Sequence, residues 1–158
     1  MDPINLINVT CQIGSRTILH DISIGFKKNK VTAIIGKSGS GKSTLLKMIN
    51  GLLKPTMGQV KVFDSAIDYS NLKALRKNIG YAVQGIGLFP HLTVEENILL
   101  AGKTHLSIRE IRKERLHELM KLVNLPDRLL SRYPYELSGG SSSAQEFAAL
   151  YFSILLYY

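Results

Sequence analysis

The chain has 158 residues, of which 45% are hydrophobic and 20% are charged. This composition excludes an intrinsically disordered protein, and the length suffices for one domain with a hydrophobic core. The start, Met1-Asp2-Pro3, carries no secretory signal, and the longest apolar stretch, Phe147 to Tyr158, is shorter than the ~20 residues of a membrane-spanning helix. The single cysteine, Cys11, can form no internal disulfide. We therefore expect a cytoplasmic protein.

The formal net charge of +8 raises the possibility of a nucleic-acid partner. The basic residues are dispersed along the chain, and no aromatic residues interleave with them to form a base-stacking surface. The run from Arg109 to Arg115 contains charges of both signs, which is typical of a solvated helix face with local ion pairs. We therefore expect no nucleic-acid partner.

Apolar patterning predicts several strands in the first part of the chain, at Ile4–Val9, Ile22–Phe26, Val31–Ile35, Gln59–Phe63 and Ile79–Val83. Gly14-Ser15-Arg16 predicts a turn between the first two strands. The segment Val31–Ile35 is continuously apolar or β-branched, which is typical of a strand covered on both faces. The segment Gln59–Phe63 alternates and predicts an edge strand.

Helices are predicted after these strands. The segment Lys42–Asn50 has helical apolar spacing, and Gly51 suits a left-handed cap. Two capping boxes, Thr93 with Glu96 and Ser107 with Glu110, predict the starts of two further helices. The second of these is predicted to place Ile108, Ile111, Leu119 and Val123 on its apolar side and to stop at Asn124-Leu125-Pro126. This order of strands and helices predicts an α/β fold.

The strongest signal is a glycine-rich segment between the predicted strand Val31–Ile35 and the predicted helix. It matches the complete phosphate-loop (Walker A) pattern G-x-x-x-x-G-K-[ST], with the residues Gly36, Lys37, Ser38, Gly39, Ser40, Gly41, Lys42, Ser43 and Thr44. The glycines allow successive backbone N–H groups to point at one anion, and the helix N-terminus adds its positive end.

The residue types at the end of this pattern predict three roles. Lys42 can reach the β- and γ-phosphates, the Ser43 hydroxyl can bind Mg²⁺, and Thr44 is a neighbouring phosphate contact. The alternative is a glycine-rich turn that merely precedes a helix. The length of the match and its strand–loop–helix context favour phosphate binding.

Three further segments resemble those of ABC transporter ATPases, in order and in spacing. The segment Ile79–Gln84 resembles the strand and glutamine of the Q-loop, and Leu88–Ile98 resembles the segment that follows it in importers. The segment Tyr133–Gly140 resembles the approach to the family signature, Leu-Ser-Gly-Gly-Gln. The resemblance covers Ile4 to Gly140. It implies a P-loop NTPase of ABC type, with an N-terminal β-subdomain, a helical subdomain and a partial RecA-like core.

The resemblance also implies site roles. Gln84 would touch Mg²⁺ and the attacking water, and would sense the membrane subunit. A second anion site, made by Ser138, Gly139 and Gly140, would clamp the γ-phosphate of ATP on a partner subunit. Ile13 occupies the position where the family usually has an aromatic residue that stacks on adenine, so adenine affinity is expected to be reduced.

The resemblance implies the ATP-binding, energy-coupling subunit of an importer, with ATP and Mg²⁺ as cofactors. The segment Gly87–His91, with Tyr81 before it, is most similar to subunits that import glycine betaine, choline or related osmoprotectants. The implied partners are a membrane permease, a second ATP-binding subunit and, indirectly, a solute-binding protein. The implied location is cytoplasmic, on the inner face of the cell membrane.

Residues 141–158 depart from the family. Where the signature continues with Gln-Gln-Gln-Arg in many importers, this chain has Ser141-Ser142-Ser143-Ala144. If the three serines are encoded by AGC, the codons AGC-AGC-AGC-GC with one C placed in front are read as CAG-CAG-CAG-CGC, which encodes Gln-Gln-Gln-Arg. We therefore interpret residues 1–140 as an incomplete ABC-type ATP-binding domain and residues 141–158 as an aberrant tail from a shifted reading frame. The alternative is a genuine divergent amphipathic tail.

These interpretations leave three functions open. The first is a transport ATPase whose chain, as written, lacks the acidic Mg²⁺ ligand and the catalytic Glu that the family carries on a later strand. It is then expected to bind nucleotide weakly, to hydrolyse ATP negligibly and to fold poorly. The second is a non-hydrolysing nucleotide-binding regulatory module. The third is another P-loop enzyme, such as a small-molecule kinase.

Overall fold

The computed structural model describes residues 2–81, 88–102 and 109–137. The chain divides into two compact units, Met1–Lys77 and Asn78–Tyr158.

The first unit contains an antiparallel sheet with the strand order β2-β1-β3-β4. Its strands are β1 (Ile4–Ile13), β2 (Arg16–Phe26), β3 (Met57–Val62) and β4 (Ser65–Ala66). The buried side chains of these strands are apolar, namely Leu6, Val9, Cys11, Leu19, Val60 and Val62. Of the residues whose alternation predicted β2, Ile22 and Phe26 are half-buried, whereas Ile24 is 41% exposed.

The turn between β1 and β2 lies where the sequence predicts it, since Ile13 pairs with Arg16 across Gly14 and Ser15. Gly14 has φ 61°, a left-handed conformation that glycine adopts without a steric penalty. The strand β3 pairs with β1 and also with β4, so the prediction that it is an edge strand is wrong. The hairpin through Phe63 and Asp64, both at positive φ, adds the short β4 outside it.

Helix α1 (Lys42–Ile49) follows the phosphate-loop pattern, as predicted, and buries Leu45, Met48 and Ile49. Asn50 is its C-cap residue, and Gly51 has φ 64°, which confirms the predicted left-handed cap. A short helix, α2 (Leu72–Lys77), is not predicted from the sequence.

Two predicted strands are wrong over the described residues. Val31–Ile35 has no strand conformation, and the side chains of Val31 and Ile35 are 101% and 92% exposed. Residues 79–81 of the predicted strand Ile79–Val83 are also irregular, and the rest of it lies outside the described residues. No described strand pairs with either segment, and β-branched composition alone does not make a strand without a neighbour to pack against.

The second unit is helical over its described residues. It contains α3 (Val94–Gly102), α4 (Arg109–Leu122) and two single 3₁₀ turns, Asp127–Leu129 and Pro134–Glu136. Its core consists of apolar side chains from both helices and the segment after them, Val94, Ile98, Leu116, Leu119, Met120 and Leu125. The predicted stop after α4 is confirmed, with Asn124 at φ 55°. The predicted box of Ser107 and Glu110 lies outside what the structure describes.

The start of α3 is closed by its own side chains. The Thr93 N–H donates to Glu96 Oε2 at 2.8 Å, and the Glu96 N–H donates to Thr93 Oγ1 at 3.3 Å, which confirms the predicted capping box. Across residues 2–81, 88–102 and 109–137, none of the helices has the length and apolar character needed to cross a membrane.

Candidate phosphate-binding site

The phosphate-loop pattern lies in the first unit, with Gly36–Gly41 directly before α1 and Lys42, Ser43 and Thr44 in its first turn. The Ser40 N–H donates to the Lys37 carbonyl at 3.2 Å, which closes a tight turn. Gly39 and Gly41 have φ values of 78° and 90°. Residues with a side chain rarely adopt this conformation, so two of the three glycines in the pattern are required by the path of the backbone.

Gly41 is also fixed by close approach to β2. A Cβ atom on Gly41 would lie 2.7 Å from Leu19 Cδ2 and 3.3 Å from the Ile18 carbonyl oxygen. Leu19 is buried, so it has little room to move away. The last glycine of the loop is therefore packed on the strand, a contact that the sequence pattern does not reveal.

The N-terminus of α1 has no side-chain cap and no acidic residue in its first turn. Gly41 precedes the helix and can offer no side-chain oxygen to the first N–H groups. These groups carry the positive end of the helix dipole and have no partner within the helix. An anion at the loop could accept hydrogen bonds from them without displacing a capping side chain.

Lys42 is held by the loop that it follows. Its Nζ donates to the Gly36 carbonyl and to the Lys37 carbonyl, both at 2.8 Å, and lies 3.5 Å from Ser40 Oγ. The first two contacts have ideal hydrogen-bond lengths and orient the ammonium group over the loop. The third is long, so one of the three ammonium protons stays weakly engaged.

Two more residues of the pattern occupy the first turn of α1. Ser43 is exposed and Thr44 is half-buried. The Ser43 hydroxyl fits a magnesium site as a single neutral oxygen ligand, which suits a cation that is bound mainly by phosphate oxygens and water. Among the described residues there is no group of three or more His, Cys, Asp or Glu side chains that could hold a metal ion.

Ile13 lies at the last position of β1, at the tip of the first hairpin, and is 55% exposed. It pairs directly with Arg16 across the turn. The other predicted site residues, Gln84 and Ser138 with Gly139 and Gly140, lie outside the described residues.

Asn97, a buried polar residue on α3, is not predicted from the sequence. Its Nδ2 donates to the carbonyls of Phe89, Leu92 and Thr93 at 3.0–3.1 Å, and its Oδ1 accepts the Phe89 N–H at 2.8 Å. These bonds fasten the loop before α3 to the helix. An asparagine among apolar residues of a helix was the available signal.

Comparison with known proteins supports the same family over most of the chain. The family described as ABC transporter matches residues 19–153. The carnitine transport ATP-binding protein OpuCA of Listeria monocytogenes is 45% identical over 127 residues, which are 80% of this chain and 32% of that protein. The glycine betaine uptake system ATP-binding protein YehX of Escherichia coli is 38% identical over 87% of this chain and 44% of that protein.

Solved structures agree with the fold. A dimeric ATP-binding cassette bound to ADP and Pi has a TM-score of 0.80 and 32% identity, over 93% of this chain and 68% of that one. The fold of cbiO1 from Clostridium perfringens, which is part of the ABC transporter complex cbiONQ, matches with a TM-score of 0.87 at 24% identity, over 96% of this chain and 62% of that one. The chain spans about a third of the length of OpuCA.

The phosphate-loop geometry, the family match and the two structural similarities agree on an α/β P-loop NTPase of ABC type. The chain belongs to the ABC transporter family, as an ATP-binding subunit.

Proposed function

We propose that this chain binds ATP at the loop Gly36–Thr44 and acts as the energy-coupling subunit of an importer for a small solute. The uncapped start of α1, with Lys42 oriented over it, is the observation that carries the proposal. Backbone N–H groups and one ammonium group are the donors that a polyphosphate requires. Osmoprotectants such as glycine betaine, choline or carnitine are the proposed solutes, by similarity to OpuCA and YehX.

Each residue of the loop has a proposed role in this function. The backbone of Gly36, Lys37, Ser38, Gly39, Ser40 and Gly41 cradles the phosphates. Lys42 binds the β- and γ-phosphates, Ser43 offers its hydroxyl to Mg²⁺, and Thr44 contacts a neighbouring phosphate. Ile13 contacts the adenine. Mg²⁺ supplies charge neutralisation of the phosphates when it is bound.

The proposed partners follow from the family. A second ATP-binding subunit would share ATP with this one through Ser138, Gly139 and Gly140, and a membrane permease would be sensed through Gln84. The proposed location is the cytoplasmic face of the cell membrane. The similarity to a dimeric cassette and to cbiO1, a component of a transporter complex, supports this assembly.

The test is a titration of the full chain with Mg²⁺-ATP and with inorganic tripolyphosphate. We expect saturable binding of both, weakened roughly tenfold or more by Lys42→Ala, because a hydrogen bond to a charged group contributes about 1.5–3 kcal/mol. Lys47→Ala is the matched control, since Lys47 is an exposed lysine in the last turn of the same helix. Equal effects of the two variants would contradict the proposal.

A turnover assay separates the transport ATPase from the alternatives. We expect the 158-residue chain to bind ATP with negligible hydrolysis. Steady phosphate release that Lys42→Ala abolishes would contradict this expectation, and phosphoryl transfer to a small acceptor would favour a kinase. Folded chain that binds ATP without turnover while the gene's loss leaves osmoprotectant uptake unchanged would favour a regulatory module.

The proposed boundary between residues 1–140 and 141–158 is tested on the gene. Sequencing from the codon of Leu137 onward should show that one added base restores Gln-Gln-Gln-Arg after Gly140. A confirmed frame as written, with nothing like the family in the shifted frame, would show that the tail is genuine.

A further inference from the structure

The C-terminal end of α1 is fastened to α2 by Arg76. The Arg76 Nε donates to the Asn50 carbonyl and its Nη2 donates to the Gly51 carbonyl, both at 3.3 Å. The same helix packs on Gly51, where a Cβ atom would lie 2.6 Å from Leu72 Cδ2 and 3.1 Å from Leu75 Cδ2. Two hydrogen bonds and an apolar contact therefore join the end of α1 to a helix that is distant in the sequence.

Helix α1 depends on such contacts because it is short and begins without a cap. It has 8 residues, which span about 12 Å. Helices of this length are not stable in water on their own, so tertiary packing must hold them in place. The first turn of α1 has no side-chain cap and no acidic residue. The position of this helix therefore depends on its buried face, formed by Leu45, Met48 and Ile49, and on the contacts at its C-terminal end.

The charge and the shape of the Arg76 side chain suit this helix end. Carbonyl groups at a helix C-terminus carry the negative end of the helix dipole, and a cation beside them stabilises the helix. Asn50 is the C-cap residue, and Gly51 directly follows it. A guanidinium group presents several N–H donors in a fixed plane, whereas an ammonium group acts as a point charge. Arg76 can therefore hold both carbonyls at once.

We propose that Arg76 is a positioning residue of the phosphate-binding site, which acts through α1. This inference rests on the proposed function, since the anion is taken to bind at Gly36–Thr44. Lys42, Ser43 and Thr44 form the first turn of α1, so fraying or movement of this helix displaces their side chains together with the N–H groups that the anion requires. Arg76 is bonded at the other end of α1 and is not itself a ligand of the anion.

The first experiment titrates the full chain with inorganic tripolyphosphate. We expect Arg76→Ala to weaken binding about threefold, because one cation at a helix end contributes modestly to the stability of the helix. Lys73→Ala is the matched control, since it removes the same charge from an exposed position of the same helix. It should leave the affinity unchanged. Wild-type affinity in Arg76→Ala, or an equal loss in Lys73→Ala, would overturn the inference.

Hydrogen exchange of the backbone amides tests whether Arg76 acts through α1. In the ligand-free chain, Arg76→Ala should lower the protection of the amides of residues 45–50, and Arg76→Lys should lower it less, because lysine keeps the charge at the helix end. Tripolyphosphate should restore part of this protection, since a ligand that binds the ordered helix stabilises it. A loss of affinity in Arg76→Ala with unchanged protection of these amides would also overturn the inference.

Protection of the β1 amides distinguishes local loosening of α1 from unfolding of the first unit, and we expect it to be the same in Arg76→Ala and in the wild-type chain. If Arg76→Ala does not fold, Arg76→Lys provides the test. Its affinity for tripolyphosphate should be lower than that of Lys73→Ala, and equal affinities would overturn the inference. A wild-type chain that does not bind tripolyphosphate would instead overturn the proposed function.

Discussion

Two loops of this protein lead into helices and end in opposite ways. The loop Gly36–Gly41 enters α1 through a glycine, with no side-chain cap and no acidic residue in the first turn. The loop 88–93 enters α3 through Thr93, whose N–H and hydroxyl are both bonded to Glu96, and Asn97 holds four backbone groups of that loop. The first N–H groups of α1 therefore have no side-chain acceptor, whereas α3 begins with a side-chain cap.

The difference shows that a helix N-terminus can be left open to an anion or closed by its own side chains. The first N–H groups of any helix need acceptors. Where a side chain supplies them, the end of the helix is stable without a ligand, and an anion would have to displace the cap. Where the sequence places glycines and no capping side chain, these N–H groups remain available to donate to an anion.

The largest expected effect comes from Gly41→Ala. The substitution combines an unfavourable φ of 90° with a clash against Leu19 and the Ile18 carbonyl, so we expect a loss of about 3 kcal/mol in the free energy of unfolding of the first unit. We also expect the loss of tripolyphosphate binding. Denaturant unfolding and a binding titration measure the two effects.

Gly39→Ala is the matched control for this variant. Gly39 has φ 78° but nothing within 4 Å of a Cβ atom, so only the backbone penalty applies and the loss should be about 1 kcal/mol. If both variants lower the free energy of unfolding equally, the contact between Gly41 and β2 does not contribute to the stability of the first unit.

A smaller effect is expected from Asn97→Ala at the closed loop. The variant leaves the Phe89 N–H and three carbonyls without their partner, and we expect a loss of about 2 kcal/mol in the stability of the second unit. Thr93→Ala is the comparison, with an expected loss of about 1 kcal/mol for a cap alone. Denaturant unfolding, followed by a spectroscopic probe in the second unit, measures both losses. If Asn97→Ala lowers the free energy of unfolding no more than Thr93→Ala does, Asn97 does not have the central role in holding this loop.

The smallest expected effect is a pH dependence of the stability of the 3₁₀ turn Pro134–Glu136, which is also capped by one of its own side chains. Glu136 Oε2 accepts the Tyr133 N–H at 2.7 Å, and this bond, together with Arg132, lowers the pKa of the Glu136 carboxyl below its ordinary value of 4.5. A lowered pKa means that the stabilisation is present above the ordinary value and is lost as the pH falls through the folded-state pKa.

The measurement is hydrogen exchange of the Tyr133 amide between about pH 6 and about pH 3, corrected for the intrinsic rate. We expect protection to fall with acid in the native chain and to be independent of pH in Glu136→Gln, whose amide oxygen can still accept the Tyr133 N–H but does not titrate. Protection that is independent of pH in the native chain would mean that the carboxylate does not hold this turn.

Much of the site was predictable because its information is local. The pattern from Gly36 to Thr44 specifies the turn, the glycines at positive φ and the start of α1 within nine consecutive residues. The box of Thr93 and Glu96 is equally local. The resemblance to the ABC family rests on such short motifs and on their order, and the family match confirms it.

Other features depend on partners far away in the sequence, and local reasoning failed there. Val31–Ile35 has the composition of a buried strand, but no described strand pairs with it. The strand β3 has the alternation of an edge strand, but β4 pairs beside it. The apolar side of α4 was predicted at Leu119 and Val123, and both belong to or pack on the core of the second unit. The partners of that side on α3 and the bonds of Asn97 to the preceding loop were not predicted, because they depend on how separate segments pack together.

The sequence by itself determined the phosphate loop, the α/β class, the first hairpin and the ends of α1 and α4, because backbone conformation and capping are set by neighbouring residues. Only the tertiary structure decided that Gly41 packs on Leu19 and that β4 pairs beside β3. It also decided that Asn97 is buried. Those outcomes follow from strand register and packing, which bring distant residues together and which local patterns do not encode.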